Sequence, residues 1–269
     1  MGYKLLLLDI DGTIVSLNFK LSPRLKNAVR EAQKRGILVT LTTGRMFKTS
    51  LPFVKDLNIT LPIICYQGAL IKNPLNNDLI YHEPVPVDLA KEVIKIAREE
   101  KTHLNLYLND NLYITKPQIP EAFEYLKIEK QSSHTHLNYI DINHYELKES
   151  PTKLIIISNV KTLNKIERKC QRLFKGKLDT TRGFPKFLDI LKLGVSKGNA
   201  LKILRNYLKI EKKEVFSIGD YYNDISMFNE SGFSVAVKNA PPKVKKAADF
   251  ITDSVNQDGA AKAIEKFLI

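Results

Sequence analysis

The chain has 269 residues, 43% of them hydrophobic, which suits a globular protein with a sizeable buried core. The apolar run Leu5 to Leu8 is too short for a signal segment or a membrane span, so we expect a cytoplasmic protein. The net charge of +13 is spread out, with +5 in residues 84–188 and +8 elsewhere, which favours solvated surfaces over a nucleic-acid groove.

Apolar runs alternate with amphipathic helices in the first part of the chain. A strand at 4–8 is followed by a helix that begins after the N-cap residue Ser22 and ends near Gly36. This alternation is typical of a parallel sheet with helices on both faces. The next predicted elements are a strand at 37–41, a helix at 46–57 and a strand at 62–66.

Residues 84–188 follow a different pattern. The turn at Asn109 to Asn111 joins two short strands and makes the pair antiparallel. We therefore expect an inserted α/β domain at 84–188, with 1–83 and 189–269 forming one core. Its predicted elements are a helix at 87–100, strands at 104–108, 112–115 and 153–158, a helix at 163–174 and a strand at 178–181.

The alternating pattern returns after this segment, which indicates one α/β core split by an insert. Cys65 and Cys170 lie in apolar surroundings on a predicted strand and a predicted helix, so we expect both to be reduced packing residues. The predicted elements of the C-terminal part are a helix at 196–208, a strand at 214–218, a helix at 223–230 and a strand at 233–237.

Two acidic motifs directly follow predicted buried strands. Asp9 and Asp11 follow the first strand, and Asp220 and Asp224 follow the strand at 214–218. Because parallel strands present their carboxyl ends at one sheet edge, we expect the four carboxylates to converge there. Such a cluster of oxygen ligands suits a hard cation such as Mg²⁺. An acidic strand end with a solvated turn is the alternative for the first motif.

Two further segments suit a phosphate group. Thr43 and Gly44 follow the strand at 37–41 at a helix N-terminus, where hydroxyl and backbone N–H groups favour an anion. Lys197 opens a helix at the end that prefers anions, an arrangement that is explained if its charge faces a bound phosphate. Taken alone, the first segment is weak evidence, and a lone lysine such as Lys197 is more often an ordinary surface residue.

In chain order, the motifs resemble those of the haloacid dehalogenase superfamily, and their residues are most similar to those of its Cof-type phosphatases of subclass IIB. The resemblance implies a Rossmann-like core with a parallel sheet, and an inserted α/β cap that determines substrate specificity. The four motifs are Asp9-x-Asp11-Gly12-Thr13, Thr43-Gly44-Arg45, Lys197 and Gly219-Asp220-x-x-Asn223-Asp224.

The resemblance also implies roles for the acidic residues. Asp9 would be the nucleophile and a metal ligand. Asp11 would be the general acid and base, and would bind the metal through its backbone carbonyl. Asp220 would be the third protein ligand of Mg²⁺, and Asp224 would belong to the same metal site and support its waters.

The remaining implied residues bind the phosphoryl group of a small phosphomonoester, such as a sugar phosphate. Thr43 with Gly44 and Lys197 would hold its oxygens, while Asn223 and Asn239 would lie nearby. The implied reaction is hydrolysis through an aspartyl phosphate. The implied partner is a small phosphorylated metabolite, without nucleic acid or membrane, and the chain would be a monomer or a homodimer.

Two other functions stay open at this point. A phosphosugar mutase would return the phosphoryl group to a sugar, and a non-catalytic protein would only bind phosphate or nucleic acid. The sequence also departs from the family pattern, since Gln67 stands where many relatives have asparagine and Asp189 stands where glutamate is common.

Other residues carry weaker signals. His134, His136 and His144 lack acidic or cysteine partners at metal-ligand spacing and are interpreted as part of a solvated loop. Arg182 and Phe184 fit either a linker or a substrate contact.

Overall fold

The computed structural model describes residues 2–16, 19–132 and 136–269. The chain forms two compact units, Met1–Tyr81 with Ser196–Ile269, and His82–Val195. None of the helices within the described ranges has the length and apolar character that crossing a bilayer requires.

The strands and helices alternate along most of the chain. The strands are β1 (Leu5–Asp9), β2 (Leu38–Thr42), β3 (Ile63–Cys65), β4 (Leu70–Lys72), β5 (Leu79–His82), β6 (His103–Leu108), β7 (Asn111–Thr115), β8 (Leu137–Ile140), β9 (Lys153–Ile157), β10 (Leu178–Phe184), β11 (Phe187–Lys192), β12 (Val215–Gly219), β13 (Phe233–Ala236) and β14 (Phe250–Ile251). The helices are α1 (Pro23–Lys34), α2 (Phe47–Asp56), α3 (Val87–Glu99), α4 (Pro120–Ser132), α5 (Val160–Leu173), α6 (Lys197–Tyr207), α7 (Ile225–Phe228), α8 (Pro242–Ala247) and α9 (Gly259–Phe267).

The first unit contains an eight-stranded sheet with the order β14-β13-β12-β1-β2-β3-β4-β5. The neighbours from β14 to β3 are parallel, and β4 pairs with β3 in the antiparallel direction. The predicted α/β class with a parallel sheet is confirmed. Because β12, β1 and β2 are direct neighbours, their carboxyl ends lie side by side at one edge of the sheet.

The predicted elements of the first unit are confirmed with one difference, and five further elements lie outside the prediction. These are strands β4, β5 and β14, which are two to four residues long and lack a clear alternation of apolar and polar residues, and helices α8 and α9. The helix predicted at 223–230 is a 3₁₀ turn at Tyr222–Asp224 followed by the short α7. The carboxylate of Asp224 accepts the backbone N–H groups of Asp220 and Tyr221, and these hydrogen bonds account for the later start of the helix.

The second unit contains a six-stranded sheet with the order β10-β11-β9-β6-β7-β8. The predicted antiparallel pair is confirmed as β6 and β7, whose turn residues Asn109 and Asp110 have φ angles of 48° and 56°. Strands β7 and β8 are parallel and are joined through α4. Apolar residues of α3 and α5 form one core with alternate residues of β6, β9 and β11.

The insert is longer than the predicted range 84–188. Strand β11 pairs with β9 and β10, so residues 189–195 belong to the second unit rather than to the core. Asp189 consequently lies in this unit, where its carboxylate is 2.8 Å from Nζ of the equally buried Lys153. Cys65 and Cys170 are buried thiols outside any disulfide bond, which confirms their prediction as reduced packing residues.

Candidate active site

Three carboxylates meet at the carboxyl edge of the first sheet. Asp9 is the last residue of β1, and Asp220 and Asp224 follow β12. One carboxylate oxygen from each residue lies within 4.8 Å of those of the other two. The sheet order produces this proximity, because β1 and β12 are parallel neighbours in register from Leu5↔Val215 to Leu8↔Ile218.

Two glycines allow the acidic loops to approach each other. Gly12 has a φ of +83°, and a Cβ there would lie 2.3 Å from Oδ2 of Asp220. A Cβ on Gly219 would lie 2.6 Å from Cγ of Asp224. The hydroxyl of Thr13 lies between two of the acids, 2.9 Å from Oδ2 of Asp9 and 3.0 Å from Oδ1 of Asp220. Larger residues at positions 12 and 219 would push the acids apart.

Lys197 is buried among the acids. It is the first residue of α6, after the N-cap Ser196, and its side chain is 1% exposed. Its Nζ donates to Oδ1 of Asp9 and to Oδ1 of Asp224, both at 2.6 Å. The other oxygen of Asp224 accepts the backbone N–H groups of Asp220 and Tyr221. The ammonium group therefore links the end of β1 to the loop after β12.

The electrostatics of the cluster are those of crowded, desolvated acids. Burial, with further contributions from Asp9 and Asp224, raises the pKa of Asp220 to about 9. Burial also raises the pKa of Asp9 to about 6, although Lys197 opposes the shift. Burial disfavours the charge on Lys197, but its two carboxylate partners outweigh this and raise its pKa. One ammonium group is thus too little positive charge for three carboxylates.

The donor set fits a hard divalent cation. All three side chains offer carboxylate oxygens, and the pKa of Asp220 is raised by burial and, in addition, by the nearby charges of Asp9 and Asp224. Oxygen ligands of this type are preferred by Mg²⁺ and Ca²⁺, whereas zinc sites usually include histidine or cysteine. Within the described parts of the chain, no other group of acidic, histidine or cysteine side chains is arranged for a metal.

Asp11 departs from the expected convergence of four carboxylates. Its carboxylate is held by Arg45, whose Nε and Nη2 donate to its two oxygens at 2.7 and 2.5 Å. The guanidinium group also lies over the rings of Phe19 and Phe53, at 5.4 and 5.0 Å from their centroids. This bidentate contact draws the Asp11 side chain toward Arg45, so it is not in the group formed by the other three acids.

The loops after β2 and β3 are tied to the acidic loop by an amide. Oε1 of Gln67 accepts from Nδ2 of Asn223 at 2.7 Å. The same side chain packs against Gly44, where a Cβ would lie 2.5 Å from Nε2 of Gln67. Thr43 is fully buried, and its hydroxyl accepts the backbone N–H of Arg45. Gln67 thus links the Thr43 and Gly44 segment to the loop after β12.

The amide of Asn239 contacts the turn that follows β1. Its Nδ2 donates to the carbonyl of Gly12 at 2.8 Å, and its Oδ1 accepts the N–H of Val255 at 2.9 Å. One N–H and the carbonyl oxygen of the amide are therefore engaged with backbone, which ties the turn after β1 to the segment at Val255. The second N–H is not used in these contacts, and the role of Asn239 near a phosphate stays a prediction.

Three residues of the site were absent from the predicted set. Arg45, Gln67 and Thr13 each touch a predicted site residue. The signal for Arg45 and Thr13 was present in the sequence, since both lie inside the motifs. Gln67 gave the weaker signal of an amide on a loop that follows a strand.

The histidines and the arginine singled out in the second unit belong to no group of metal-binding side chains among the described residues. His136 is exposed, and Nδ1 of the exposed His144 pairs with Asp141 at 2.7 Å. Arg182 is held by Glu167 and Asn164. His134 and the side chain of Phe184 lie outside the described residues.

The parallel sheet, the acid cluster at its carboxyl edge and the inserted α/β unit together define a Rossmann-like two-unit enzyme fold. Residues 6–264 match the family of haloacid dehalogenase-like hydrolases, and the chain belongs to that family. The predicted superfamily is thereby confirmed.

Individual relatives agree with this assignment. A Bacillus subtilis protein named "Putative phosphatase YxeH" is 29% identical, over 99% of both chains. The B. subtilis 5-amino-6-(5-phospho-D-ribitylamino)uracil phosphatase YcsE is 25% identical, over 99% of this chain and 96% of the relative.

Solved structures extend the agreement to the fold. A haloacid dehalogenase-like hydrolase from Bacteroides thetaiotaomicron superposes with a TM-score of 0.88 at 28% identity, over 98% of this chain and 99% of the other. The subclass IIB sugar phosphatase BT4131 has the same fold, with a TM-score of 0.86 at 23% identity over 99% and 100% of the two chains.

Proposed function

We propose that the chain is a Mg²⁺-dependent phosphatase that hydrolyses small phosphomonoesters through an aspartyl phosphate on Asp9. The observation that carries this proposal is the cluster of Asp9, Asp220 and Asp224 with Lys197 buried against it. Phosphate monoesters resist attack because the phosphoryl group is anionic and repels nucleophiles. A carboxylate nucleophile therefore needs positive charge beside it, and this cluster is built to hold such charge.

Asp9 and Asp220 would hold the ion through their carboxylates, with Asp224 in support, and Asp11 would contribute its backbone carbonyl. When bound, the ion supplies Lewis-acid neutralisation of the phosphoryl oxygens. Its charge would also offset the effects of burial and of the neighbouring acids that raise the pKa of Asp220. Nucleophilic attack and proton transfer are carried out by the side chains of Asp9 and Asp11.

In the first half-reaction, an oxygen of Asp9 attacks the phosphorus of the ester. The bond from phosphorus to the ester oxygen breaks, and Asp11 donates a proton to the departing oxygen. Lys197 offsets the charge of the phosphoryl oxygens, while the Thr43 and Gly44 segment supplies a hydroxyl and backbone N–H groups. The products are an alcohol and an aspartyl phosphate.

In the second half-reaction, the Asp11 carboxylate takes a proton from a water molecule whose oxygen attacks the phosphorus. The bond from phosphorus to Asp9 breaks, which releases inorganic phosphate and restores the Asp9 carboxylate. Arg45 serves as a positioning residue, because its bidentate contact fixes the orientation of Asp11. Gln67 would keep the Asn223 loop in place against the loop after β2.

We assign the second unit, His82–Val195, the role of a cap that selects the leaving group, in place of the predicted range 84–188. Among the similar proteins, YcsE is by its name a phosphatase for a ribitylamino-uracil phosphate, and BT4131 is by its name a sugar phosphatase. A polyhydroxylated phosphomonoester of comparable size is therefore the proposed substrate class. The partner is accordingly a small phosphorylated metabolite.

The test is phosphate release from a panel of sugar, polyol and nucleoside monophosphates, assayed with MgCl₂ and with EDTA. We expect release only with Mg²⁺, and at least about 10³-fold less for Asp9→Asn. Asp88→Asn, an exposed acid in the first turn of α3, is the matched control and should keep full activity. Release that persists in EDTA, or in Asp9→Asn, would exclude the proposed mechanism.

A further inference from the structure

The second unit contains a cavity of about 700 Å³ that the proposed reaction does not use. It is lined by the carboxyl ends of β7 and β8, including Thr115 and Ile140, and by Ile119 just before α4. Strands β7 and β8 are parallel, and α4 connects them. Ligands of α/β units bind outside the carboxyl ends of parallel strands, and this volume is within the range of small-molecule sites.

The cavity is bordered by an excess of positive charge. Arg98, Lys101 and Lys116 all line it, and among the described residues none of the three lies within 4 Å of a carboxylate oxygen. Arg98 donates to the carbonyl of Ile142 at 2.6 Å. The acid at the border, Asp141, accepts from His144 and from the N–H of Asn143, and Lys116 contributes to lowering its pKa. An anion entering the cavity would therefore meet three positive charges against one negative charge.

The inner wall of the cavity is polar and buried. His103 is 2% exposed and Thr115 is 6% exposed. The hydroxyl of Thr115 accepts the N–H of Leu104 and lies 3.0 Å from Nδ1 of His103. The imidazole of His103 also interacts with the side chain of Asn105 on the same strand. The inner wall is therefore a polar, internally hydrogen-bonded surface, which suits contact with the polar groups of a ligand.

We propose that this cavity is a second binding site, which takes a small molecule carrying several phosphate or carboxylate groups. Arg98, Lys101 and Lys116 would pair with the anionic groups at the mouth. Its lining residues all belong to the second unit, whereas the acid cluster belongs to the first. Binding at this site is therefore independent of the metal that the proposed phosphatase reaction needs.

Isothermal titration calorimetry of the full chain tests the site, with pyrophosphate as the phosphate probe and citrate as the carboxylate probe, after metal ions have been removed with a chelating resin. No soluble chelator is added, because a polycarboxylate such as EDTA would compete for the site. Without a cation, the carboxylates of the acid cluster repel anions, which suppresses binding there. We expect saturable binding of at least one probe, and the probe that binds identifies the anionic group. Binding should weaken as salt is raised, as expected for partly exposed charges.

Variants locate the binding site. Lys101→Ala with Lys116→Ala should weaken the affinity about tenfold, from the loss of two partly screened charge pairs. Lys161→Ala with Lys175→Ala removes two exposed lysines of the same unit that do not line the cavity, and should leave the affinity unchanged.

Lys197→Met should also leave the affinity unchanged, since Lys197 belongs to the acid cluster. Three results would overturn the proposal: neither probe binds, the Lys101 and Lys116 pair has no effect, or Lys197→Met abolishes binding. Thermal unfolding without ligand checks that each variant is folded.

Discussion

Replacing Asp220 by asparagine should make the metal-free protein more stable while removing its response to Mg²⁺. Burial and the neighbouring acids raise the pKa of Asp220 from 3.8 to about 9. A carboxyl group whose pKa is higher in the folded state destabilises the fold above its unfolded pKa, and the loss grows until the folded pKa is reached. At neutral pH the protein is inside this window, so the wild-type acid opposes folding.

The size of the effect follows from the same pKa shift. Across about three pH units, from 3.8 to neutral pH, the destabilisation is at most about 4 kcal/mol. We expect about 2 kcal/mol, because the titration of Asp220 is coupled to that of the neighbouring acids and the shift does not belong to Asp220 alone. Asparagine keeps the oxygen that accepts from Thr13, and it removes the charge. The free energy of unfolding in EDTA should therefore rise by about 2 kcal/mol.

The assay is urea unfolding of wild type and Asp220→Asn, in EDTA and in excess MgCl₂, with Asp88→Asn as the exposed control. At about 100 times its Kd, a metal bound only to the folded form stabilises wild type by about 2.7 kcal/mol. Asp220→Asn should lose most of this gain. A variant less stable than wild type in EDTA, with an undiminished gain from Mg²⁺, would refute the electrostatic reasoning.

Three further predictions concern other parts of the chain. Arg45→Lys should lower kcat about tenfold with little change in KM, because a lysine cannot make the bidentate contact; an equal rise in KM would indicate a binding role instead. Gly68→Ala should lower the free energy of unfolding by about 3 kcal/mol, because its Cβ would lie 2.2 Å from the Ser196 carbonyl oxygen at a φ of +105°. Gly36→Ala, at a φ of +82° in open space, is the control and should lose only about 1 kcal/mol; urea unfolding measures both. Burial lowers the pKa of His103 from 6.5 to about 4, so stability should fall by about 2 kcal/mol between about pH 7.5 and pH 5, and His103→Gln should lose less over that range.

The convergence of the acids was predictable from the sequence because it depends on topology. Asp9 and Asp220 each directly follow a buried apolar run, and parallel strands bring such positions to one edge. The approach of Asp224 follows from its place in the same loop. These arguments need only strand order and direction, both of which the alternating pattern indicates.

The orientation of Asp11 was not predictable in this way. Asp9 and Asp11 are two residues apart, and strand alternation alone would aim both side chains alike. The chain leaves the strand after Asp9, and Arg45, fixed over the rings of Phe19 and Phe53, then attracts the Asp11 carboxylate. That geometry depends on tertiary packing between separate segments.

The end of the insert was misplaced for a related reason. Strand β11 is a buried, mostly apolar segment directly before the C-terminal core segment, so its composition fits either sheet. Only its pairing with β9 and β10 assigns it to the second unit. Local pattern predicts that a strand exists, whereas its partners are set by contacts distant in sequence.

The central claim is that Asp9 becomes phosphorylated during turnover. Acid quenching of the enzyme during steady-state hydrolysis with Mg²⁺, followed by borohydride reduction and peptide mass spectrometry, tests it directly. The proposed mechanism predicts reduction of the side chain at position 9 alone, and none in EDTA. A phosphorylated residue elsewhere would contradict it. So would release of the leaving group without any covalent adduct in Asp11→Asn, measured with an aryl phosphate whose leaving group departs without protonation.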